Sequence, residues 1–395
     1  MPHDEAAADG DVYDGREQTK VKHHVLRVYL ERLALIVGQG GWTTINYVDC
    51  FSGPWKSIDE NLSDTSFSIA QAVLSGARDA LRARNRAVRL RYFFIEKDPS
   101  AFAQLSEFAS KAGGDDEIVA LQSEFEAAIP RILDFVTAGG PNAFTFIFID
   151  PTGWTGFDLG KIRPLLTLEN SEVLINFMTS YILRFVRTVA DARRLFGADY
   201  PADELQALLE SGDGDRWAER YGDAIRMAGA FTHRGLTVIL NPTKDAAHFH
   251  LVYATRNAKG LEVFKTADRA AMDVMEDERA KAQQRKREEK SNQTELFSAP
   301  ALHNHAFYEQ LRDRHLATAK SRLELLLRRD GSVAYDLAWK TALEELLVWE
   351  SDLKAWVKAW QDAGVVEIRG LAEHERVPKR GSSHLLVWVG GAGHA

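Results

Sequence analysis

Residues 144–154 read FTFIFIDPTGW, a continuous apolar run that stops at Asp150 and turns at a proline and a glycine. Residues 47–55 read YVDCFSGPW and repeat this design at Asp49. Strands that are apolar throughout are typical of parallel sheets covered by helices on both faces. Ligands of such sheets bind in the crevice at the carboxyl ends of the strands. The two stretches therefore predict an α/β sheet with two aspartates facing one binding crevice.

Strands and helices alternate on both sides of these stretches. Residues 236–240 and 249–254 are apolar runs whose connection is too short for a helical crossover, so this pair should be antiparallel. We therefore predict an α/β fold with a Rossmann-like sheet of five parallel strands and an antiparallel pair. The five runs that should be parallel end at residues 49, 96, 121, 149 and 178.

Composition divides the chain into regions. Residues 1–18 are polar and are predicted to be a flexible leader. Residues 19–265 form the predicted α/β domain, whose polar helical insertion at about 190–230 is expected to cover the crevice as a lid. Residues 266–302 are predicted to be a charged helix and linker. Residues 303–395 combine helices with a two-stranded ribbon, which is typical of a small winged-helix-like domain.

Overall composition limits the class of protein. The 395 residues carry a formal net charge of −8, which gives no general support for nucleic-acid binding. No apolar run reaches the roughly 20 residues that cross a bilayer, and the N-terminus lacks the apolar segment of a secretory signal. The single cysteine, Cys50, excludes an internal disulfide and a cysteine-rich metal site. We expect a cytoplasmic protein that does not bind membranes.

The turn after Asp49 limits the choice of cofactor. It has neither the G-x-G-x-x-G pattern of dinucleotide sites nor a P-loop, which disfavours nicotinamide and nucleoside triphosphates. Glu96 ends the second strand, where a carboxylate can accept hydrogen bonds from both ribose hydroxyls. Ser123, Glu124 and Phe125 follow the third strand, where contacts to a base are expected. These positions predict a nucleoside cofactor without a pyrophosphate.

The fourth strand end is assigned to the substrate. Asp150 could hold an amine or accept its proton, and Trp154 could stack on a planar substrate. The alternative is a structural turn with a buried tryptophan. His233, His248 and His250 have no convincing third ligand nearby in sequence, so no metal site is predicted.

Two helices and one turn need separate predictions. The helix over residues 19–37 is expected to turn Lys22 toward its polar side. Trp356 and Trp360 are four residues apart and are expected to pack in the core of the C-terminal region. Basic and acidic residues are equal in number after residue 302, which leaves contact with protein and contact with nucleic acid both open. The basic turn that could reach phosphates contains Arg376, Lys379, Arg380 and His384.

Taken together, these stretches resemble a known family. YVDCFSGPW, the Glu96 strand end and DPTGW are similar to the motifs of class I S-adenosylmethionine-dependent methyltransferases. With residues 22–30, 172–178 and 253–265, the chain more narrowly resembles the three-Cys-motif partner family, TcmP. The resemblance implies S-adenosylmethionine as cofactor, with its methionine end surrounded by Asp49, Phe51, Gly53 and Pro54.

The resemblance has further implications. Glu96 would hold the ribose, and Asp150 and Trp154 would face the methyl acceptor. The family name implies a partner protein with a three-cysteine cluster, similar to iron–sulfur radical proteins. The chain departs from the common methyltransferase turn at Trp55, where a second glycine is usual.

The acceptor and two rival functions stay open. DPTGW partly matches the Asp-Pro-Pro-aromatic motif of amino-methylating enzymes, and no cysteine nucleophile follows the fourth strand. An amine or ring nitrogen of nucleic acid or protein is therefore the expected acceptor. One rival is a non-catalytic, methyltransferase-like scaffold that binds the three-Cys partner. The other is a nucleic-acid-binding regulator that uses its C-terminal domain.

Overall fold

A seven-stranded sheet forms the centre of the protein. The computed structural model describes residues 12–54, 57, 59, 62–112, 114–153, 155 and 157–390. The strands are β1 (Thr44–Asp49), β2 (Arg89–Glu96), β3 (Glu117–Gln122), β4 (Ala143–Ile149), β5 (Ser171–Phe177), β6 (His233–Leu240) and β7 (Ala247–Thr255). Their order across the sheet is β3-β2-β1-β4-β5-β7-β6.

The pairing of the strands confirms the predicted α/β fold. β1 to β5 are parallel, and β7 runs antiparallel to both β5 and β6. Asp49 is in register with Phe94 on one side and Phe148 on the other. Glu96 and Asp150 each lie two residues beyond those partners, so all three acidic residues reach the same edge of the sheet.

Helices cover both faces of this sheet. Within the described residues, no helix combines the length and the apolarity needed to cross a bilayer. The helices that precede β6 are α1 (Glu17–Gln39), α2 (Ser66–Arg82), α3 (Pro99–Lys111), α4 (Phe125–Ala138), α5 (Leu159–Leu166), α6 (Thr179–Phe185), α7 (Val189–Phe196), α8 (Ala202–Ser211) and α9 (Gly214–Ala228).

The predicted insertion is helical, but it is not a lid. α9 packs against β6 and β7. Its apolar residues Trp217, Tyr221 and Ile225 recur every four positions and are fully buried. The ring of Tyr221 stacks on Phe177 of β5 with centroids 4.6 Å apart. This apolar stripe holds the insertion on the sheet, away from the crevice.

One long helix crosses the predicted domain boundary at residue 265. It is α10 (Ala258–Ser291), and a short helix, α11 (Ala299–Leu302), follows it. The charged half of α10 packs along α1, where Lys20 pairs with Glu278 at 3.0 Å and Arg285 pairs with Glu17. Residues 266–291 are therefore part of the folded body. The end of the predicted leader is folded too, because Arg16 forms an ion pair with the buried Asp64.

The C-terminal region contains the predicted helices and ribbon. Trp360 is buried, as expected, and its ring N–H donates to Glu324 at 3.2 Å. The very short β8 was not predicted; it adds a third strand to the ribbon, in the order β8-β10-β9. The elements are α12 (Ala306–Asp330), β8 (Ser332–Ala334), α13 (Tyr335–Leu343), α14 (Glu350–Asp362), β9 (Val366–Arg369) and β10 (Leu385–Trp388).

A buried polar network joins the C-terminal region to the sheet. Asp215 of α9 is hydrogen-bonded to His250 of β7 at 2.9 Å and to Nε2 of His315 in α12 at 3.2 Å. Nδ1 of His315 contacts Glu345 at 2.7 Å. Burial alone would lower the pKa of His315, but its bonds to these two carboxylates raise it to about 9. His315 therefore carries a positive charge at neutral pH.

This network predicts that stability falls in alkaline solution. The raised pKa of His315 contributes stability that is complete below its ordinary value of 6.5 and is lost as pH rises through about 9. Burial and then repulsion from Glu345 raise the pKa of Glu219 from 4.5 to about 7, but the stability that this shift contributes is already lost by about pH 7 and adds little to the alkaline decline. We expect the free energy of unfolding to fall by up to about 3 kcal/mol across this range.

Urea unfolding at several pH values between neutrality and pH 9 measures the effect. The His315→Gln variant cannot gain the charge, so its alkaline decline should be clearly smaller. Equal slopes for the variant and the wild type would contradict the assignment.

Candidate functional site

Asp49 organises the turn that follows β1. Its side chain is fully buried, and its carboxylate accepts hydrogen bonds from the backbone N–H of Phe51 at 3.1 Å and from Ser66 Oγ at 2.6 Å. Burial raises the pKa of Asp49 to about 6, although these hydrogen bonds lower it in part. The carboxylate thus ties the turn to the first residue of α2. It lies beneath the crevice floor.

Ser52 fixes the same turn against β2, and sequence reasoning gave it no role. Its backbone N–H donates to the carbonyl of Ile95 at 2.7 Å, and its Oγ accepts the N–H of Ile95 at 3.3 Å. These bonds continue the ladder between the two strands for one more residue. Phe51 is held beside the end of β2 as a result.

Glu96 ends β2 with a carboxylate that is only partly used by the protein. The residue is 4% exposed, and its Oε1 accepts the backbone N–H of Asp98 at 2.7 Å. Among the described residues, none donates a hydrogen bond to Oε2. Oε2 can therefore accept a hydrogen bond from a ligand hydroxyl.

The Glu96 cavity lies in front of this carboxylate. It has a volume of about 160 Å³ and is walled by the aromatic rings of Phe51 and Phe125, whose centroids are 5.3 Å apart. Ser123 and Glu124 line its outer side, with Glu124 exposed. The backbone N–H of Ser123 donates to the carbonyl of Glu96 at 3.1 Å, which joins the ends of β2 and β3.

The Asp150 cavity adjoins it and measures about 290 Å³. Asp150 forms an ion pair with Lys22, and its Oδ1 accepts a hydrogen bond from Asn176 Nδ2 at 2.7 Å. Asn176 is buried, and its own Oδ1 has no partner among the described residues. The two cavities share the walls formed by Phe51, Pro151 and Thr152.

The first turns of α1 form one wall of the Asp150 cavity. Lys22 lies on this wall, which corrects the expectation that it faces solvent, since it is 8% exposed. It continues the buried stripe of Leu26, Tyr29 and Leu33 by one helical turn. That spacing is the sequence signal that could have identified it. Burial and then the charge of Lys22 lower the pKa of the neighbouring His23 well below its usual range.

The predicted site residues separate into two groups. The structure brings Phe51, Glu96, Ser123, Glu124 and Asp150 together on the two cavities, and Gly53 lines the Asp150 cavity with them. Asp49 and Pro54 are buried behind that surface. Trp154 and Trp55 lie outside the described residues.

The predicted basic turn lies between β9 and β10, away from both cavities. Arg380 pairs with Glu262 of α10 at 2.8 Å and covers the ring of Trp339. Lys379 Nζ and His384 Nε2 both contact Glu375, at 2.9 and 3.1 Å. Arg376 is exposed. Three of the four residues predicted to contact nucleic acid or a partner are thus engaged by carboxylates of this chain.

Some solved structures are similar to part of this chain. No family model matches the chain, and no curated protein matches it. Among solved structures, a Legionella pneumophila protein of the family DUF519 is 11% identical, with a TM-score of 0.38, and covers 64% of this chain and 91% of its own.

Two further structures are similar to a comparable degree. A Thermobifida fusca protein described as a "putative methyltransferase" is 12% identical, with a TM-score of 0.31, and covers 60% of this chain and 82% of its own. A DUF574 family protein from Streptomyces avermitilis is 12% identical, with a TM-score of 0.29, and covers 64% of this chain and 94% of its own. At these values the likeness carries no argument about activity, and membership of the TcmP family stays a prediction.

Proposed function

We propose that this protein is an S-adenosylmethionine-dependent methyltransferase. The observation that carries the proposal is Glu96, a largely buried residue at the end of β2 that lines the cavity and whose Oε2 accepts no hydrogen bond from the described residues. Adjacent ribose hydroxyls are matched donors for such a group. Phe51 and Phe125 offer apolar faces for a base beside it. The residues present therefore fit a nucleoside.

The absence of a pyrophosphate cradle separates this proposal from other nucleoside cofactors. The turn over residues 49–54 holds one glycine, Gly53, and lacks a glycine-rich anion loop. Gly53 and Phe51 would border the methionine end, while Asp49 keeps their backbone in place from below. When bound, S-adenosylmethionine supplies an electrophilic methyl group.

The second cavity supports an amine or ring nitrogen as the acceptor. Asp150 and Asn176 both line this cavity, and Oδ1 of Asn176 is a buried acceptor that has no partner among the described residues. Such a pair matches an N–H₂ or ring N–H group, which it would orient and from which Asp150 could take a proton. Lys22 must then turn away from Asp150 or stay beside it as a counter-ion.

The lysine contact also favours a second candidate function. In a non-catalytic scaffold, the ion pair of Lys22 with Asp150 would simply close the crevice. The three-Cys partner protein belongs to both proposals. In the first proposal the substrate is a nucleic acid or a protein. A third alternative is a nucleic-acid-binding regulator that acts through its C-terminal region.

Calorimetric titration of the full chain with S-adenosylmethionine and S-adenosylhomocysteine tests the proposal. We expect micromolar binding of both ligands, with ATP and NAD as negative controls. If no heat of binding is measured at millimolar ligand, the methyltransferase proposal is contradicted and the non-catalytic scaffold is favoured.

The acceptor side gives a separate prediction. Asp150→Asn keeps the size of the side chain and removes its charge, so cofactor affinity should be unchanged. Transfer of a labelled methyl group into nucleic-acid or protein fractions should fall by about 100-fold or more, as expected for loss of a group that takes a proton. Equal transfer by Asp150→Asn and wild type would exclude Asp150 from the reaction.

A further inference from the structure

Three side chains converge on one point where α10 meets the start of α12. Nε2 of His303 and Nδ1 of His305 each lie 3.0 Å from the same atom, Oε2 of Glu276. The two imidazole rings stand edge to face, with centroids 4.5 Å apart. All three potential ligand atoms lie within 4.8 Å of one another. We propose that Glu276, His303 and His305 bind a divalent metal ion of the zinc class.

The distances suit a tetrahedral ion. Bonds of about 2.0–2.1 Å to nitrogen and oxygen place neighbouring ligand atoms roughly 3.3 Å apart. The two nitrogen–oxygen separations of 3.0 Å need to open by only a few tenths of an ångström. The ion would take the place of the hydrogen in each of these two hydrogen bonds, and each neutral imidazole would carry its single proton on the other ring nitrogen. Three protein ligands leave a fourth position for water.

The carboxylate is held in place by an outer partner. Arg279 is 1% exposed, and its guanidinium donates to Oε1 of Glu276 at 3.0 Å and to Asp245 at 2.8 Å. Oε2 is thereby directed at the two histidines. Hydrogen bonds of this kind orient metal ligands and raise the affinity of a site.

The surroundings favour a cation. The three residues line a cavity of about 320 Å³ whose walls also carry Asp273, Asp277 and Glu309. The acidic walls give an approaching cation an open and attractive path.

The ligand set has a structural consequence. Glu276 belongs to α10, whereas the two histidines precede α12, so the ion would fasten the C-terminal region to the long helix. A ligand that binds only the folded state raises Tm. The site lies apart from both cavities of the crevice, and it does not depend on the proposed cofactor.

Metal titration of the tag-free full chain tests this proposal. After treatment with EDTA, Co²⁺ should bind with one-to-one stoichiometry and give the intense visible absorption of a tetrahedral site, and Zn²⁺ should displace it. Zn²⁺ should also raise Tm. His305→Ala should weaken Zn²⁺ binding by about 100-fold, since it removes one of three ligands.

The variants keep the test independent of misfolding. His305 is half-exposed, so its replacement leaves the packing intact, and His374→Ala in the loop after β9 is the matched exposed control. Zn²⁺ affinity equal to wild type in His305→Ala would overturn the proposal. So would a loss of Tm in His305→Ala that is the same with and without Zn²⁺, because it would assign the histidines to hydrogen bonding alone.

Discussion

Replacing Glu96 with alanine is expected to weaken binding of S-adenosylmethionine by at least about 100-fold. Hydrogen bonds to a charged group contribute about 1.5–3 kcal/mol each, and two ribose hydroxyls would lose their acceptor. The effect should be large because Glu96 is only 4% exposed, so water cannot easily take over the hydrogen bonds that the carboxylate would accept. Calorimetric titration measures the change, and Glu96→Gln should recover part of the affinity.

Glu124→Ala is the matched control for Glu96→Ala. Glu124 lies in the same cavity wall and carries the same charge, but it is exposed to solvent. Its replacement should change affinity by less than about threefold, which corresponds to the small worth of exposed charges. Similar losses in both variants would indicate a general electrostatic effect and would contradict the assignment of ribose to Glu96.

Replacing Glu172 with alanine is expected to destabilise the protein by about 3–5 kcal/mol. The carboxylate accepts hydrogen bonds from Tyr29 and from Thr255 Oγ1, the latter at 2.7 Å, and the hydroxyl of Tyr29 lies 2.6 Å from that of Tyr253. All four residues are buried. The variant therefore leaves polar atoms without partners and opens a cavity between α1, β5 and β7.

Urea unfolding followed by tryptophan fluorescence measures this loss. Tyr29→Phe removes one donor and keeps the ring, so it should cost about 1–2 kcal/mol. Glu169→Ala, at an exposed glutamate just before β5, should have little effect. If Glu172→Ala and Glu169→Ala unfold at the same urea concentration, the stabilising role of the hydrogen-bonded cluster around Glu172 is contradicted.

The same cluster explains one glycine in the sequence. A Cβ atom at Gly260, in the first turn of α10, would lie 2.4 Å from Glu172 Oε1 and 2.5 Å from the hydroxyl of Tyr253. No side chain can be accommodated there without displacing the carboxylate. The start of α10 can approach β5 and β7 only because residue 260 is glycine.

The acidic residues at the carboxyl edge of the sheet could be predicted, because the signal for them lies in the local sequence. Asp49, Glu96 and Asp150 each follow an apolar run, and parallel strands place such ends together without further information. Ser123 and Glu124 followed from the same rule. The prediction needed no knowledge of how distant helices pack.

Features that depend on distant packing could not be predicted in this way. Lys22 looked solvent-exposed because its charge outweighed its position on the buried stripe of α1. The charged composition after residue 265 predicted a charged helix and linker outside the α/β domain, but ion pairs with Glu17 and Lys20 hold that helix against α1. No role was predicted for Asn176, because only the pairing of β4 with β5 places it beside Asp150. Its Oδ1 has no partner among the described residues.

Histidine spacing was also misleading. His248 and His250 drew attention because they alternate on a strand, yet His250 is occupied by Asp215 and Thr179. His303 and His305 have the same spacing at the start of the predicted winged-helix-like domain, where no metal site was predicted. Their common partner, Glu276, is separated from them by the rest of α10, so the sequence gave no signal that joins the three.

The helix α10 is continuous and connects two distant parts of the molecule. Its 34 residues span about 50 Å at the rise of an α-helix. Near its first turn Glu262 is attached to Arg380 of the C-terminal loop, and toward its other end Arg285 is attached to Glu17 of α1. The C-terminal loop and the helix that carries Lys22 are therefore fixed to two distant points of one continuous helix.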